Sequence, residues 1–272
     1  MSGLVTGFEV RRAAATHVLL DDIGAAPSGG DGHSDLTGAV SGELADDLPD
    51  PIEHHLRSVL RIADGAAVTV TDGRGAWRPA RAIVDRASLR LESDGPIQVE
   101  PRRSPPLTIA AAIPKGDRVD VMVQKATELG VDELILLHAD RSVVRWKPER
   151  VDRHRARLQR VADEATRQSR RVWRTSVVGP FRAVEVISGQ LPVPGFEPAV
   201  NPSRSTSPAL VIAEPGGRPI TSHDRRIAVG PEGGWSDAEL SATTERVGIG
   251  ENILRIETAV LAIAALSVVS NH

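Results

Sequence analysis

Apolar and polar positions along the chain divide it into two kinds of pattern. Up to about residue 100 the apolar runs are short and closely spaced. Residues 54–61 read as a short helix. Residues 67–71 alternate as a strand and end at Asp72-Gly73, a hairpin signal. Residues 80–84, 88–92 and 97–100 read as further strands, a spacing that predicts a small β-barrel. The segment 101–106 holds three prolines and two arginines and reads as a linker.

From residue 107 the pattern changes. Residues 107–113 form a continuous apolar run, as expected for a strand covered on both faces. Val119, Met122, Val123 and Ala126 then recur at helical spacing over 117–129, with Gly130 as the stop. Strands are predicted at 134–137, 176–178, 209–213, 227–229 and 252–254. Helices are predicted over 148–168 and 258–269, and Ser236 with Glu239 forms a capping box for another. Alternating strands and helices predict an α/β domain with a mostly parallel sheet, whose ligand lies beyond the C-terminal strand ends. The expected domains are residues 1–103 and 104–272.

Composition narrows the chemistry. The 272 residues contain no cysteine, which excludes disulfides, thiol catalysis and cysteine-bound metal. The eight histidines are scattered apart from His54-His55, so no metal site is expected. No stretch reads as a signal peptide or is long enough to span a bilayer, so a cytoplasmic protein with no membrane partner is expected. Net charge is −3, but it is unevenly placed. Residues 21–53 carry nine acids and no Lys or Arg, and read as a mobile acidic loop or insertion. Residues 141–174 carry twelve bases against four acids, a local field able to attract a polyanion. Trp146 and Trp173 flank that run, as stacking surfaces for bases or as core residues.

No P-loop, HExxH or G-x-S-x-G occurs. The stretch Gly248-Ile249-Gly250 lacks the third glycine of a dinucleotide fingerprint and precedes a predicted strand. The informative segment is Gly230-Pro231-Glu232-Gly233-Gly234-Trp235-Ser236, between a buried strand and a capped helix. Glycines let main chain approach a ligand closely, and proline stiffens the turn. Two more junctions, Ala213-Glu214-Pro215-Gly216-Gly217 and Leu254-Arg255-Ile256-Glu257-Thr258-Ala259, follow predicted strands of the same sheet. Together the three can form one pocket; separately, each is also an ordinary turn or an Arg–Glu cap.

The chain resembles the RsmE family of 16S ribosomal RNA uridine methyltransferases, in the SPOUT superfamily, from about His54 to its end. The resemblance rests on His55-Leu56-Arg57-Ser58-Val59-Leu60-Arg61, on Lys115 with Gln124-Lys125-Ala126-Thr127-Glu128-Leu129-Gly130, and on Arg141-Ser142-Val143. It continues through Glu164-Ala165-Thr166-Arg167-Gln168-Ser169-Arg170-Arg171, Gly230-Pro231-Glu232-Gly233-Gly234 and Leu254-Arg255-Ile256-Glu257-Thr258-Ala259. It departs at Ile256, where the family usually has Thr, and at Asn252, where it usually has Arg.

The resemblance implies an N-terminal PUA-like β-barrel that helps bind RNA. It implies a C-terminal SPOUT α/β domain with a trefoil knot, a homodimer, and S-adenosylmethionine as methyl donor. The implied activity is methylation of N3 of one uridine in 16S rRNA of the small ribosomal subunit. Methylation of ribose 2′-oxygen or another base, and a non-catalytic RNA-binding protein of the same fold, are the alternatives. The implied cofactor residues are Glu214, Gly216, Gly230, Pro231, Glu232, Gly233, Gly234, Leu254 and Ala259. Arg255 and Glu257 are the catalytic candidates. Arg57, Arg61, Lys115, Lys125, Arg141, Gln168 and Arg171 are the RNA-contact candidates.

Overall fold

The computed structural model describes residues 6–24, 44, 48–86, 88–190 and 210–269. Two compact units result. One holds the chain up to Arg102 together with Thr166–Arg174; the other holds Arg103–Ala165 and everything from Thr175 onward.

In the first unit, helix α1 (Gly7–Ala13) opens on a capping box between Thr6 and Glu9. Strand β1 (Thr16–Leu19), helix α2 (Asp50–His54) and a π-helical turn (His55–Val59) follow, then strands β2 (Ala67–Thr71), β3 (Ala76–Val84), β4 (Leu89–Ser93) and β5 (Gln98–Val99). The sheet order is β1-β2-β3-β4, with β5 beside the start of β3. Among the described residues this pairing does not close into the expected ring. Most of the acidic stretch, residues 25–43 and 45–47, lies outside the described residues. Its described parts put Ile23, Leu44 and Leu48 into the core of this unit, against Val18, Leu56, Val68 and Val70.

Residues 166–174 complete this unit. Arg11 pairs with Glu100 and lies over the buried Trp77 ring, 4.8 Å from its centroid. Its Nε donates to the Arg170 carbonyl at 3.1 Å, and Arg170 Nη2 donates to Ala14 O at 2.9 Å. His17, fully buried, bridges Thr69 Oγ1 (2.7 Å) and the Arg171 carbonyl (3.1 Å). The carbonyl can only accept, so the ring donates there and accepts from Thr69 as a neutral imidazole. Burial, reinforced by Arg11 and Arg170, lowers the His17 pKa to about 4. The expected role of Trp173 as a base-stacking surface is not free of cost: its Nε1 donates to Glu100 O at 3.1 Å, and Arg102 lies over its ring.

The second unit runs β6 (Thr108–Ala112), α3 (Arg118–Glu128), β7 (Glu133–His138), α4 (Pro148–Gln168, its last turn in the first unit), β8 (Ser176–Arg182) and α5 (Ala183–Ile187). It continues with β9 (Val211–Pro219), β10 (Arg226–Val229), α6 (Asp237–Ser241), β11 (Arg246–Gly248) and α7 (Ile256–Val269). All six strands pair in parallel, in the order β11-β9-β10-β6-β7-β8. Strand alternation sends Ile109, Leu134 and Leu136 to one face, against α3, α4 and α7. Ala110, Ile135 and Leu137 go to the other face, against α5, α6 and Trp235. Being covered on both sides explains why these strands read as unbroken apolar runs.

Two sequence expectations are corrected here. Residues 252–254 do not form a strand; the last strand is β11, and Ile253 is 85% exposed. Its apolar character suggests pairing, but no strand among the described residues accepts it. The Ala213–Gly217 junction is not a free loop either. Strand β9 runs through it, pairing with β10 over Val211–Ala213 and with β11 at Ile212 and again, after a shift in register, at Arg218 and Pro219. A Cβ on Gly217 would lie 2.5 Å from the Val247 carbonyl carbon, so this crossover requires glycine.

Candidate functional site

A cavity of about 200 Å³ opens against the middle of β9 and beyond the ends of β10 and β11. Three segments wall it. Ala213, Glu214 and Pro215 come from β9; Val229, Gly230, Pro231, Glu232, Gly234 and Trp235 follow from β10; Ile249, Gly250, Asn252, Ile253 and Leu254 lead into α7, which adds Ala259.

The middle wall is built by a chain of local requirements. Gly234 takes φ +72 and donates its N–H to Pro231 O at 2.9 Å, closing a turn. Trp235, almost fully buried, donates from Nε1 to Ala213 O at 3.3 Å and so ties this turn to β9. A Cβ on Gly230 would lie 2.7 Å from the Trp235 ring, so glycine there lets the indole close the floor. The expected capping box is present: Ser236 Oγ accepts from Glu239 N, and Glu239 Oε2 accepts from Ser236 N. The remaining Glu239 oxygen accepts from Asp140 N at 2.8 Å, and Ser236 donates to Asp140 Oδ2 at 2.6 Å. The turn is thus held to the end of β7 as well.

Of the nine sequence-derived cofactor residues, Glu214, Gly230, Pro231, Glu232, Gly234, Leu254 and Ala259 line the cavity. Gly216 and Gly233 do not. Gly216 takes φ +82 with open space around it, and Gly233 lies against Arg141, whose Nη1 donates to the Gly233 carbonyl at 3.4 Å. Arg255 is exposed just beyond Leu254. Glu257 is largely buried, at 13% side-chain exposure, and pairs with Arg118 at 3.4 Å.

The RNA candidates separate into two groups. In the second unit, Lys115 and Arg141 are exposed, whereas Lys125 pairs with Glu128 at 2.8 Å, the ordinary i,i+3 bridge. In the first unit, Arg61 and Gln168 are exposed, Arg171 is half-buried, and Arg57 pairs with Glu53 and donates to Asp85 O. Trp146, the other stacking candidate, stacks on His154 at 4.6 Å and packs against the core. Its backbone N–H donates to His138 Nε2 at 3.1 Å; burial and Arg145 push the His138 pKa down.

Sequence reasoning missed Arg118, Trp235 as a wall residue, and Ile249 and Ile253 at the cavity edge. Nothing in the spacing marks Arg118, because its partners lie more than a hundred residues away. Among the described residues no cluster of His, Asp and Glu has the grouping of a metal site, and no helix is long and apolar enough to cross a membrane.

Residues 102–269 match a family model described as an RNA methyltransferase domain. The chain is 32% identical over 233 residues to ribosomal RNA small subunit methyltransferase E of Mycobacterium bovis, covering 80% of this chain and 84% of that one. To the protein of the same name in Bacillus subtilis it is 31% identical, covering 79% and 86%. Among solved structures it is similar to ribosomal RNA small subunit methyltransferase E from Neisseria gonorrhoeae bound to S-adenosyl methionine. That likeness has a TM-score of 0.65 and 26% identity, covering 92% of this chain and 95% of that one.

Proposed function

The chain belongs to the RNA methyltransferase family that contains ribosomal RNA small subunit methyltransferase E, and we propose on that premise that it methylates N3 of one uridine in 16S rRNA with S-adenosylmethionine as donor. The observation that carries this reading is the convergence of three chain segments on one cavity.

The wall suits that donor. Val229, Leu254 and Ala259 offer apolar surface to a flat purine, and Gly230, Pro231 and Gly234 offer main-chain groups at close range. Glu214 and Glu232 place carboxylates in the same wall, which complements a ligand carrying a sulfonium and an ammonium. When bound, S-adenosylmethionine supplies an electrophilic methyl group.

The chain's own residues then have three tasks. The uracil imide must give up its N3 proton to solvent water as nitrogen attacks, and negative charge spreads onto the flanking carbonyls. Arg255, exposed beside the cavity and without an ion pair among the described residues, is the cation that stabilises this charge. Glu257, held by Arg118, orients the segment that carries Arg255 instead of moving freely to take a proton. The cavity walls would hold the donor and limit the directions from which the base can approach it. Lys115, Arg141, Gln168 and Arg171 position the RNA backbone, which carries no sequence information itself.

The same reading includes a homodimer, a trefoil knot around the cavity, a PUA-like first unit in RNA binding, and a cytoplasmic site of action on the small subunit. The test is nucleoside mass spectrometry of rRNA from cells lacking the protein, with restoration by the wild-type chain and by Arg255→Ala. Loss of 3-methyluridine, restored by wild type and poorly by Arg255→Ala, is expected. Loss of a 2′-O-methylated nucleoside instead, or no loss at all, overturns the assignment.

A further inference from the structure

Arg118 opens helix α3, far in sequence from every cavity residue, yet it meets two of the segments that form the site. Its Nη1 lies 3.4 Å from Glu257 Oε1 and 3.8 Å from Glu232 Oε1. Its Nε donates to the Lys115 carbonyl at 3.1 Å, which fixes the guanidinium plane from a third direction. Glu232 stands in the cavity wall on the turn after β10, and Glu257 sits on the first turn of α7. Two carboxylates from separate segments therefore share one cation. The other oxygen of Glu257, Oε2, is buried without a hydrogen-bond partner among the described residues, so Arg118 supplies the charge compensation this carboxylate has there.

We propose that Arg118 is a positioning residue that locks the turn after β10 to the start of α7, and so sets the orientation of Glu232 in the cofactor wall. Without the guanidinium, two like charges face each other at the junction of the segments, and one of them is mostly buried. Mutual repulsion then moves Glu232 and loosens the wall before any ligand arrives. A lysine can restore the charge to one carboxylate but not the fork that reaches both carboxylates and a carbonyl, so rescue is partial. The inference rests on the proposed donor only for the identity of the ligand; the locking itself is a property of the free protein.

The test has two arms. In the free protein, hydrogen exchange reads the Gly234 amide, whose bond to Pro231 O closes the turn. Arg118→Gln is expected to speed its exchange, and Arg118→Lys to speed it less. In the second arm, calorimetry with S-adenosylmethionine reads affinity. Arg118→Gln is expected to bind about tenfold more weakly and Arg118→Lys within about threefold of wild type. Because Arg118 acts through Glu232, adding Arg118→Gln to Glu232→Gln is expected to weaken binding by no more than about twofold beyond Glu232→Gln alone. In turnover, the KM for the donor is expected to rise more than kcat falls. Unchanged Gly234 exchange in a folded Arg118→Gln protein overturns the inference, as does multiplication of the two losses. Wild-type protein that fails to bind S-adenosylmethionine overturns the proposed function instead, while the exchange arm still decides the lock.

Discussion

At the scale of single residues, the site depends on small side chains set against large ones. Gly230 is the clearest case, because the indole of Trp235 occupies the space a methyl group would need. Gly230→Ala forces Trp235 to move, and with it the hydrogen bond to Ala213. The expected result is a loss of about 1–3 kcal/mol of stability, typical of overpacking a close contact. Thermal melting checks the loss, and calorimetry should show weakened donor binding in the same protein. An unchanged melting temperature would mean that the indole is not the floor of the cavity.

At the scale of elements, the segment 166–174 has its own acid sensitivity through His17. Burial holds the His17 imidazole neutral down to about pH 4, whereas in the unfolded chain it titrates near its ordinary value of about 6.5. Below that ordinary value the unfolded state binds the extra proton, so stability falls as pH drops from about 6.5 towards 4, by at most about 3 kcal/mol from this group. His17→Gln keeps a donor and an acceptor without the titration, and should flatten this limb in melting curves recorded between pH 7 and 4.5. An identical acid limb in both proteins would remove His17 as its source. The basic run is also resolved at this scale. Arg150, Arg153 and Arg160 share one face of α4 and are exposed, while Arg157 on the same stripe pairs with Asp120. Replacing the three with Ala should weaken RNA binding and reduce the slope of log affinity against log salt by about two to three, leaving donor binding in place. An unchanged slope would show that this face does not meet phosphate.

At the scale of the whole molecule, what the sequence disclosed follows from the range of the interactions involved. Helix α4 was legible end to end because Val151, Leu158, Val161 and Ala165 repeat at helical spacing. The capping box at Ser236 was legible because it is complete within four residues. Convergence of the three segments was anticipated, although only the one after β10 follows the strand read for it; the first lies inside β9, and residues 252–254 form no strand. Arg118 was not, nor was the run of β9 between β10 and β11, since both depend on partners that meet only once the sheet is assembled. Helix α1 and strand β1 went unread because α1 is only seven residues long, and β1 finds its partner β2 about fifty residues later. The membership of residues 166–174 belongs to the same class, and it bears on how this polypeptide can be divided. The backbone enters the second unit, returns to the first for nine residues, and leaves again. A single scission after residue 103 therefore yields a leading fragment stripped of the peptide that caps His17 and binds Arg11.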